Sequence, residues 1–227
     1  MQKPLLFCLI LFILTRCGSG EQVVQKTALA SPTSAQLVRG SLQMSASFGR
    51  ISDCGTGKQY VVQSAHTLDS LFQLARGPIT YREKTVYAVL RGHLHGDTLT
   101  VTDVDAMEAK HAWNTCIPFE FWCSGAEPFW DLEISQAEGG LFFQDASRQM
   151  GTKYAWSAPK MEGDTWMYTA PATADGQPAI RVVIKKEAAN NGMSDITFNY
   201  SAELTVGSEK RKGVAIRWGE PKLEPKN

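Results

Sequence analysis

Hydrophobic residues occur first in one unbroken N-terminal run and afterwards in short alternating segments. The run Leu5–Leu14 follows Lys3 and ends at a polar stretch. A helix needs about twenty apolar residues to cross ~30 Å of hydrocarbon, so this run is too short to span a membrane. A basic start, a short apolar core and an abrupt polar exit are typical of a secretory signal. The sequence therefore predicts a signal peptide over residues 1–16.

Residues 17–41 show little apolar periodicity. They are rich in Gly, Ser, Thr, Ala and Gln, a composition typical of a flexible tether. We therefore expect the first folded domain to begin at residue 42.

From Met44 the pattern changes to short extended segments around one helix. Apolar residues at i, i+3, i+4 and i+7 predict a helix that starts near Thr67 and ends before Gly77. These residues are Leu68, Leu71, Phe72 and Ala75. Strands are predicted at 44–51, 60–62, 86–94 and 99–104. Four or five short strands with one helix predict a small OB-like barrel over 42–116.

All six tryptophans lie at or after position 113, which marks a second segment. Strands are predicted there at 130–134, 141–144, 165–169, 180–185, 196–206 and 214–218. Gly and Asn turn signals separate them, and the charged run 209–212 is predicted to be a hairpin tip. The fold class is therefore mainly β, with two small antiparallel β-barrel or sandwich domains. The second covers 117–219, and 220–227 form a loose tail.

Charge excludes one class of partner. The chain has 23 Lys and Arg against 23 Asp and Glu. A nucleic-acid binder would show a basic excess or stripe, so no nucleic-acid partner is expected. Removing residues 1–16 takes away Lys3 and Arg16, leaving 21 basic against 23 acidic residues. The mature chain is slightly acidic.

Leu14-Thr15-Arg16-Cys17 resembles the lipobox of bacterial lipoproteins, in which a branched apolar residue lies three positions before an acylated Cys. The resemblance implies that Cys17 carries acyl chains and anchors the protein in the lipid bilayer. Stable anchoring takes two or more such signals. Arg16 stands where a small residue is usual, so cleavage without lipidation stays open. The implied location is the outer membrane, facing the periplasm.

After loss of Cys8 and lipidation of Cys17, three thiols remain in an oxidising compartment. Three thiols imply one disulfide and one leftover Cys. The residues alone leave two pairings of Cys116 open, with Cys54 and with Cys123. In the chain-entropy model the longer loop stabilises by about 4 kcal/mol and the shorter by roughly 2 kcal/mol.

The motif D-C-x-T-G at 53–57, the helix, a Gly-containing strand at 90–94 and the closing Cys116 resemble the OB-type domain of NlpE-like envelope lipoproteins. The resemblance covers about 44–116. It implies a Cys54–Cys116 disulfide and a link to surface sensing and copper tolerance. The family carries a C-x-x-C motif in another domain, and this chain has none.

Two further motifs lie in the second segment. They are G-x-E-P-F-W, with Glu127, Pro128, Phe129 and Trp130, and G-M-S-D, with Gly192, Met193, Ser194 and Asp195. Together they resemble a domain of bacterial membrane lipoproteins, over about 117–219. No activity is assigned to that domain, so the resemblance implies no mechanism.

Few residues have the spacing of a catalytic or metal site. His93 and His95 are two apart on a predicted strand and could supply two metal ligands, but no further ligand is identified, so surface histidines are expected. Glu127 with a second acid, such as Asp131 or Glu133, would suit a hydrolase. We expect Glu127 to be partly buried with a structural role and the other two acids to be solvated. No nucleophile, zincin or dinucleotide motif occurs, and no cofactor is expected.

Three functions follow, in order of preference. The first is a non-enzymatic envelope lipoprotein that acts as an interaction or stress-sensing module with an envelope protein partner. The second is a periplasmic small-ligand or metal-binding lipoprotein related to copper tolerance. Its pocket would be lined by Trp122, Trp130, Trp156 and Trp166, which otherwise form core. The third is a carboxylate-dependent hydrolase.

Overall fold

The computed structural model describes residues 34–45, 48–63, 67–77, 85–192 and 196–220. The predicted signal peptide, Cys17 and most of the predicted tether lie outside these residues. The first elements are β1 (Gln36–Met44), β2 (Gly49–Asp53), β3 (Gln59–Gln63), α1 (Thr67–Arg76), β4 (Val86–His95) and β5 (Thr98–Ala109). Within the described part of the chain, no helix has the length and apolar character needed to cross a membrane.

Strands β1 to β5 form a closed barrel in the order β1-β2-β3-β5-β4, and β4 pairs back with β1. Only the β3–β5 pair is parallel among the described strand pairs of this barrel. Helix α1 lies between β3 and β4 in the chain and contributes Leu68 and Phe72 to the barrel core. The OB-like barrel and its one short helix are confirmed.

The first strand begins earlier than the composition indicates. β1 starts at Gln36, inside the stretch predicted to be tether. Val38 and Leu42 face the core, with Gly40 between them. A Cβ on Gly40 would lie 1.9 Å from the carbonyl oxygen of Ser52 on β2. Gly40 therefore marks a close approach of two strands, although the residues around it have the composition of a linker.

The strand predicted at 44–51 is wrong as a single element. Met44 pairs with Gly49 across an antiparallel turn, so the chain reverses between β1 and β2. The Ser45 N–H donates to the carbonyl of Phe48 at 2.9 Å, which closes this turn.

The second part of the chain forms one antiparallel nine-stranded sheet, curled into a half-barrel. Its strands are β6 (Phe121–Ala126), β7 (Phe129–Ser135), β8 (Gly140–Asp145), β9 (Met150–Ala155), β10 (Lys160–Glu162), β11 (Thr165–Ala170), β12 (Ile180–Lys185), β13 (Tyr200–Val206) and β14 (Glu209–Arg217). Their order is β10-β11-β12-β13-β14-β6-β7-β8-β9. The predicted antiparallel β class is confirmed, whereas β6, β9 and β10 were not predicted as strands.

The charged run 209–212 is part of strand β14, and Gly207 and Ser208 form the hairpin turn. The prediction of a hairpin tip at 209–212 is therefore wrong. One cation of this run is also buried. The Arg211 side chain is 3% exposed and donates to Asp145 Oδ2 at 2.6 Å inside the half-barrel. Its Cζ also lies 5.6 Å from the centre of the Phe143 ring. Residues 209–212 pair with 203–206 of β13, which makes this run a strand.

A disulfide and a cluster of ion pairs tie the barrel to the residues that follow it in the chain. Cys54, in the β2–β3 turn, forms a disulfide with Cys116, so that pairing is confirmed. Lys110, directly after β5, contacts Glu133 on β7 and Glu138 in the β7–β8 turn. Cys123 is a free thiol buried in the core of the sheet, where burial raises its pKa.

Candidate ligand-binding cleft

A cleft of about 550 Å³ opens where β6 begins and β14 ends. The segment 156–159 lies against it and connects β9 to β10, the two edge strands of the curled sheet. The cleft is therefore bounded by the ends of two central strands and by the segment that connects the two edge strands. Six aromatic residues line it: Phe119, Phe121, Trp156, Trp166, Tyr168 and Trp218.

The alternation of side chains along β6 and β11 directs three aromatic residues into the floor of the cleft. Phe121 on β6 and Trp166 and Tyr168 on β11 face the core of the sheet and are buried. The ring centres of Phe121 and Trp166 are 5.2 Å apart, within the range of a favourable aromatic pair. At the rim, Trp218 is 40% exposed and its ring lies 5.0 Å from that of Phe119. Aromatic surface therefore reaches from the buried floor to solvent.

Two charged residues line the same cleft. The Arg217 guanidinium carbon lies 5.3 Å from the Trp166 ring centre and 5.8 Å from that of Phe121, so its cation lies over both rings. Glu120 Oε2 accepts a hydrogen bond of 2.6 Å from Trp156 Nε1. Burial raises the pKa of the Tyr168 hydroxyl, and the neighbouring Glu120 raises it further. Tyr168 is therefore a neutral hydroxyl at physiological pH.

The charges in the cleft balance, with one carboxylate on Glu120 and one guanidinium on Arg217 among the lining residues. Concave, mostly apolar surfaces with a few placed polar groups are typical of small-molecule sites. This arrangement suits a ligand without net charge that presents an apolar face to the rings and polar groups to Arg217 and Glu120. The chain matches no protein-family model, no curated protein and no solved structure.

The four tryptophans considered for one pocket separate into three environments. Trp156 and Trp166 line the cleft. Trp130 is 2% exposed in the core of the sheet. Trp122 lies next to Phe119, with ring centres 5.7 Å apart, and it lines none of the cleft. Two of the four tryptophans expected from the sequence therefore belong to the aromatic lining.

Phe119, Glu120, Arg217 and Trp218 were not singled out from the sequence. They lie next to or at the ends of β6 and β14, which are far apart along the chain. The pairing of Phe121 with Arg217 brings these ends together. An Arg-Trp pair at the end of an alternating strand was the available signal, but only the strand order places it beside Glu120.

Residues of the G-x-E-P-F-W motif have separate roles. Glu127 is exposed, so its expected partial burial is wrong, and it precedes Pro128 through a cis peptide bond. Phe129 is 55% exposed. Trp130 is the packed member: a Cβ on the opposite Gly125 would lie 2.2 Å from its Nε1. The missing side chain at Gly125 makes room for the indole, which is a packing role.

The second motif lies near the first. Gly192 has a φ of +77°, which favours glycine, and its N–H donates to Asn190 Oδ1 at 2.6 Å. Gly192 and Asn190 line an outer groove with Glu127. Met193, Ser194 and Asp195 lie outside the described residues. One residue of each motif, Glu127 and Gly192, therefore lines the same groove.

The remaining candidates are dispersed. His93 is half-buried and His95 exposed on β4. No group of three or more His, Cys, Asp or Glu side chains in the described ranges could hold a metal ion. Asp131 is exposed as expected, whereas Glu133 is 4% exposed, so the prediction of a solvated face is wrong at that position. Cys17 lies outside the described residues.

Proposed function

We propose that this protein is a non-catalytic ligand-binding lipoprotein of the bacterial envelope and that the aromatic cleft is its binding site. The observation that carries the proposal is the combination of an aromatic floor with the charge-balanced pair of Glu120 and Arg217. Such a surface suits binding, because it offers ring faces together with one donor group and one acceptor group. Interaction or sensing would follow from occupancy of this cleft.

The ligand class follows from the same groups. A neutral saccharide ring has an apolar C–H face and a rim of hydroxyls. The face would pack on Trp156 and Trp218, and the hydroxyls would accept from Arg217 and donate to Glu120. A charged ligand would leave one of these two side chains opposed by a like charge.

The envelope location is supported by the sequence. Residues 1–16 have the pattern of a signal peptide, and Leu14–Cys17 resembles a lipobox. The likeness of residues 44–116 to NlpE-like lipoproteins points to the same compartment, and a disulfide is compatible with it. In this proposal an acylated Cys17 holds the binding module at the outer membrane, facing the periplasm.

Calorimetric titration with maltotetraose and tetra-N-acetylchitotetraose, both uncharged, tests the cleft. We expect binding of at least one of these neutral tetrasaccharides, and we expect Trp156→Ala and Arg217→Gln each to weaken it about tenfold, equivalent to about 1.4 kcal/mol. Trp113→Ala is the matched control, since Trp113 is 49% exposed and does not line the cleft. Absence of binding to both sugars, or equal weakening by Trp113→Ala, would contradict the saccharide site.

Membrane fractionation tests the anchor. The wild-type chain is expected in the detergent-released membrane fraction, and Cys17→Ser is expected in the soluble fraction because the acylated residue is lost. Cys8→Ser is the control, since the predicted cleavage removes Cys8 with the signal peptide. A wild-type chain found wholly in the soluble fraction would overturn the lipoprotein assignment.

A further inference from the structure

A second cleft, of about 500 Å³, lies between the barrel and the nine-stranded sheet. Its barrel wall is the outer face of β1, β2 and β3. Cross-strand pairing aligns Ser41 with Ser52, Ser52 with Gln59, and Gln43 with Arg50 on this face. Their neighbours Leu42, Ile51 and Tyr60 point the other way, into the barrel core. The wall is therefore a continuous polar surface.

The opposite wall is the outer face of the sheet at β8 and β9. Phe142 pairs with Lys153 across these strands, and Lys153 Nζ lies 5.5 Å from the Phe142 ring centre. Both side chains line the cleft, while Leu141 and Tyr154 face the core of the sheet. A cation supported by an aromatic ring therefore faces the polar barrel wall.

Two cations in this cleft have no acidic partner in the described part of the chain. Neither Arg50 nor Lys153 forms an ion pair there. Glu138 is the acidic residue among those lining the cleft, and it is bound to Lys110. The cleft therefore has a net positive charge, which favours an anion.

A buried hydroxyl provides an independent observation. Ser41 lines the cleft and is 6% exposed, and its Oγ has no hydrogen-bond partner among the described residues. Buried polar groups in proteins nearly always have a partner, protein or otherwise. A ligand oxygen in the cleft would satisfy this donor.

We propose that the cleft between the barrel and the sheet binds a phosphate-bearing ligand, held by Arg50 from the barrel and Lys153 from the sheet, with Ser41 Oγ donating to a phosphate oxygen. Arg matches phosphate geometry through paired N–H donors, and Lys supplies a point charge. A volume of about 500 Å³ exceeds a phosphate group alone, so the phosphate belongs to a larger molecule. The ligand bridges both walls and stabilises their mutual arrangement.

Inorganic phosphate, added to the purified full chain at an ionic strength matched with sodium chloride, is the first probe. We expect phosphate to raise the Tm above the chloride reference, because a ligand that binds only the native state stabilises it. Arg50→Gln and Lys153→Met are each expected to weaken calorimetric phosphate binding about tenfold. Ser41→Ala should weaken it severalfold. Lys186→Gln, an exposed cation that does not line this cleft, should leave it unchanged.

The source of the phosphate is resolved by two further probes. Tighter binding of glycerol 3-phosphate than of phosphate supports a soluble phosphate ester, whereas co-sedimentation with phosphatidylglycerol vesicles but not with phosphatidylcholine vesicles supports a lipid headgroup. The proposal is overturned if phosphate stabilises no more than chloride, or if Lys186→Gln weakens binding as much as Arg50→Gln. Circular dichroism confirms that each variant is folded, and the tetrasaccharide titration of the aromatic cleft remains an independent result.

Discussion

Glu133 shows how one residue's environment departs from its strand pattern. It lies on the outer face of β7, between the core-facing Leu132 and Ile134, yet it is 4% exposed. Lys110 Nζ lies 2.6 Å from its Oε1 and also contacts Glu138. Burial raises the pKa of Glu133 to about 8, the Lys110 charge opposes the rise, and the Glu138 charge adds to it.

This pKa predicts a pH-dependent stability. Folding raises the pKa of this carboxyl above its ordinary value of 4.5, so the carboxyl is a weaker acid in the folded chain. The contribution of Glu133 to the free energy of unfolding is therefore complete below pH 4.5 and is lost as the pH rises through about 8. We expect the free energy of unfolding in urea to fall from about pH 5 to about pH 9, and Glu133→Gln to flatten this slope.

Glu162→Gln is the matched control for the pH series. Glu162 pairs with Lys160 at the surface, where both side chains are largely exposed. Exposed pairs contribute little to stability, so this variant should keep the wild-type slope above pH 5. An unchanged slope in Glu133→Gln would contradict the role given to the buried carboxyl.

Arg211 and Glu133 also mark the limit of residue-level prediction. Strand alternation assigns a residue to one face of a sheet, but it does not say what covers that face. Arg211 is buried inside the half-barrel, where it pairs with Asp145 from a distant strand. Glu133 is buried where it contacts Lys110, which follows β5. Charged residues are rarely buried without such partners, so the sequence pattern favoured solvent for both.

Helix α1 is the element that the sequence predicted best. Apolar spacing, with Thr67 near the start and Gly77 just past the end, indicated its bounds, and the structure has it at Thr67–Arg76. Phe72 is 1% exposed and Leu74 is 80% exposed on the same helix. Local periodicity suffices here, because a single helix presents one apolar face to one core.

This contrast gives a prediction for the helix. Phe72→Ala is expected to lower the free energy of unfolding by about 3–5 kcal/mol, because it leaves a cavity in the barrel core. Leu74→Ala should change it by no more than about 0.5 kcal/mol, since that side chain is solvated. Urea denaturation measures both. Similar losses in the two variants would mean that α1 does not pack on the barrel through Phe72.

At the scale of the whole molecule, the Cys54–Cys116 disulfide ties the β2–β3 turn to the segment that leaves the barrel. The two residues are 62 positions apart. Closing a loop of this length restricts the unfolded chain, which stabilises the native state by about 4 kcal/mol in the chain-entropy model.

Reduction should therefore destabilise the protein. We expect dithiothreitol to lower the free energy of unfolding of the wild type by about 4 kcal/mol. The double variant Cys54→Ser/Cys116→Ser should match the reduced wild type and show no further response to dithiothreitol. Cys123→Ser should keep the full response to dithiothreitol, because Cys123 is buried and unpaired. Loss of that response in Cys123→Ser would point to a different pairing.

The local pattern of residues by itself determined the mainly β class, helix α1 and most strands of the barrel, whereas the secretory start stays a prediction. These follow from short-range periodicity, which fixes which side of an element is apolar. The tertiary structure decided the start of β1, the strand nature of 209–212, the burial of Glu133 and Arg211, and both clefts. Each of these depends on contacts between residues far apart in the chain, such as the pairing of Phe121 with Arg217. Such pairing is set by the order of the strands in the sheet, which the sequence pattern does not contain.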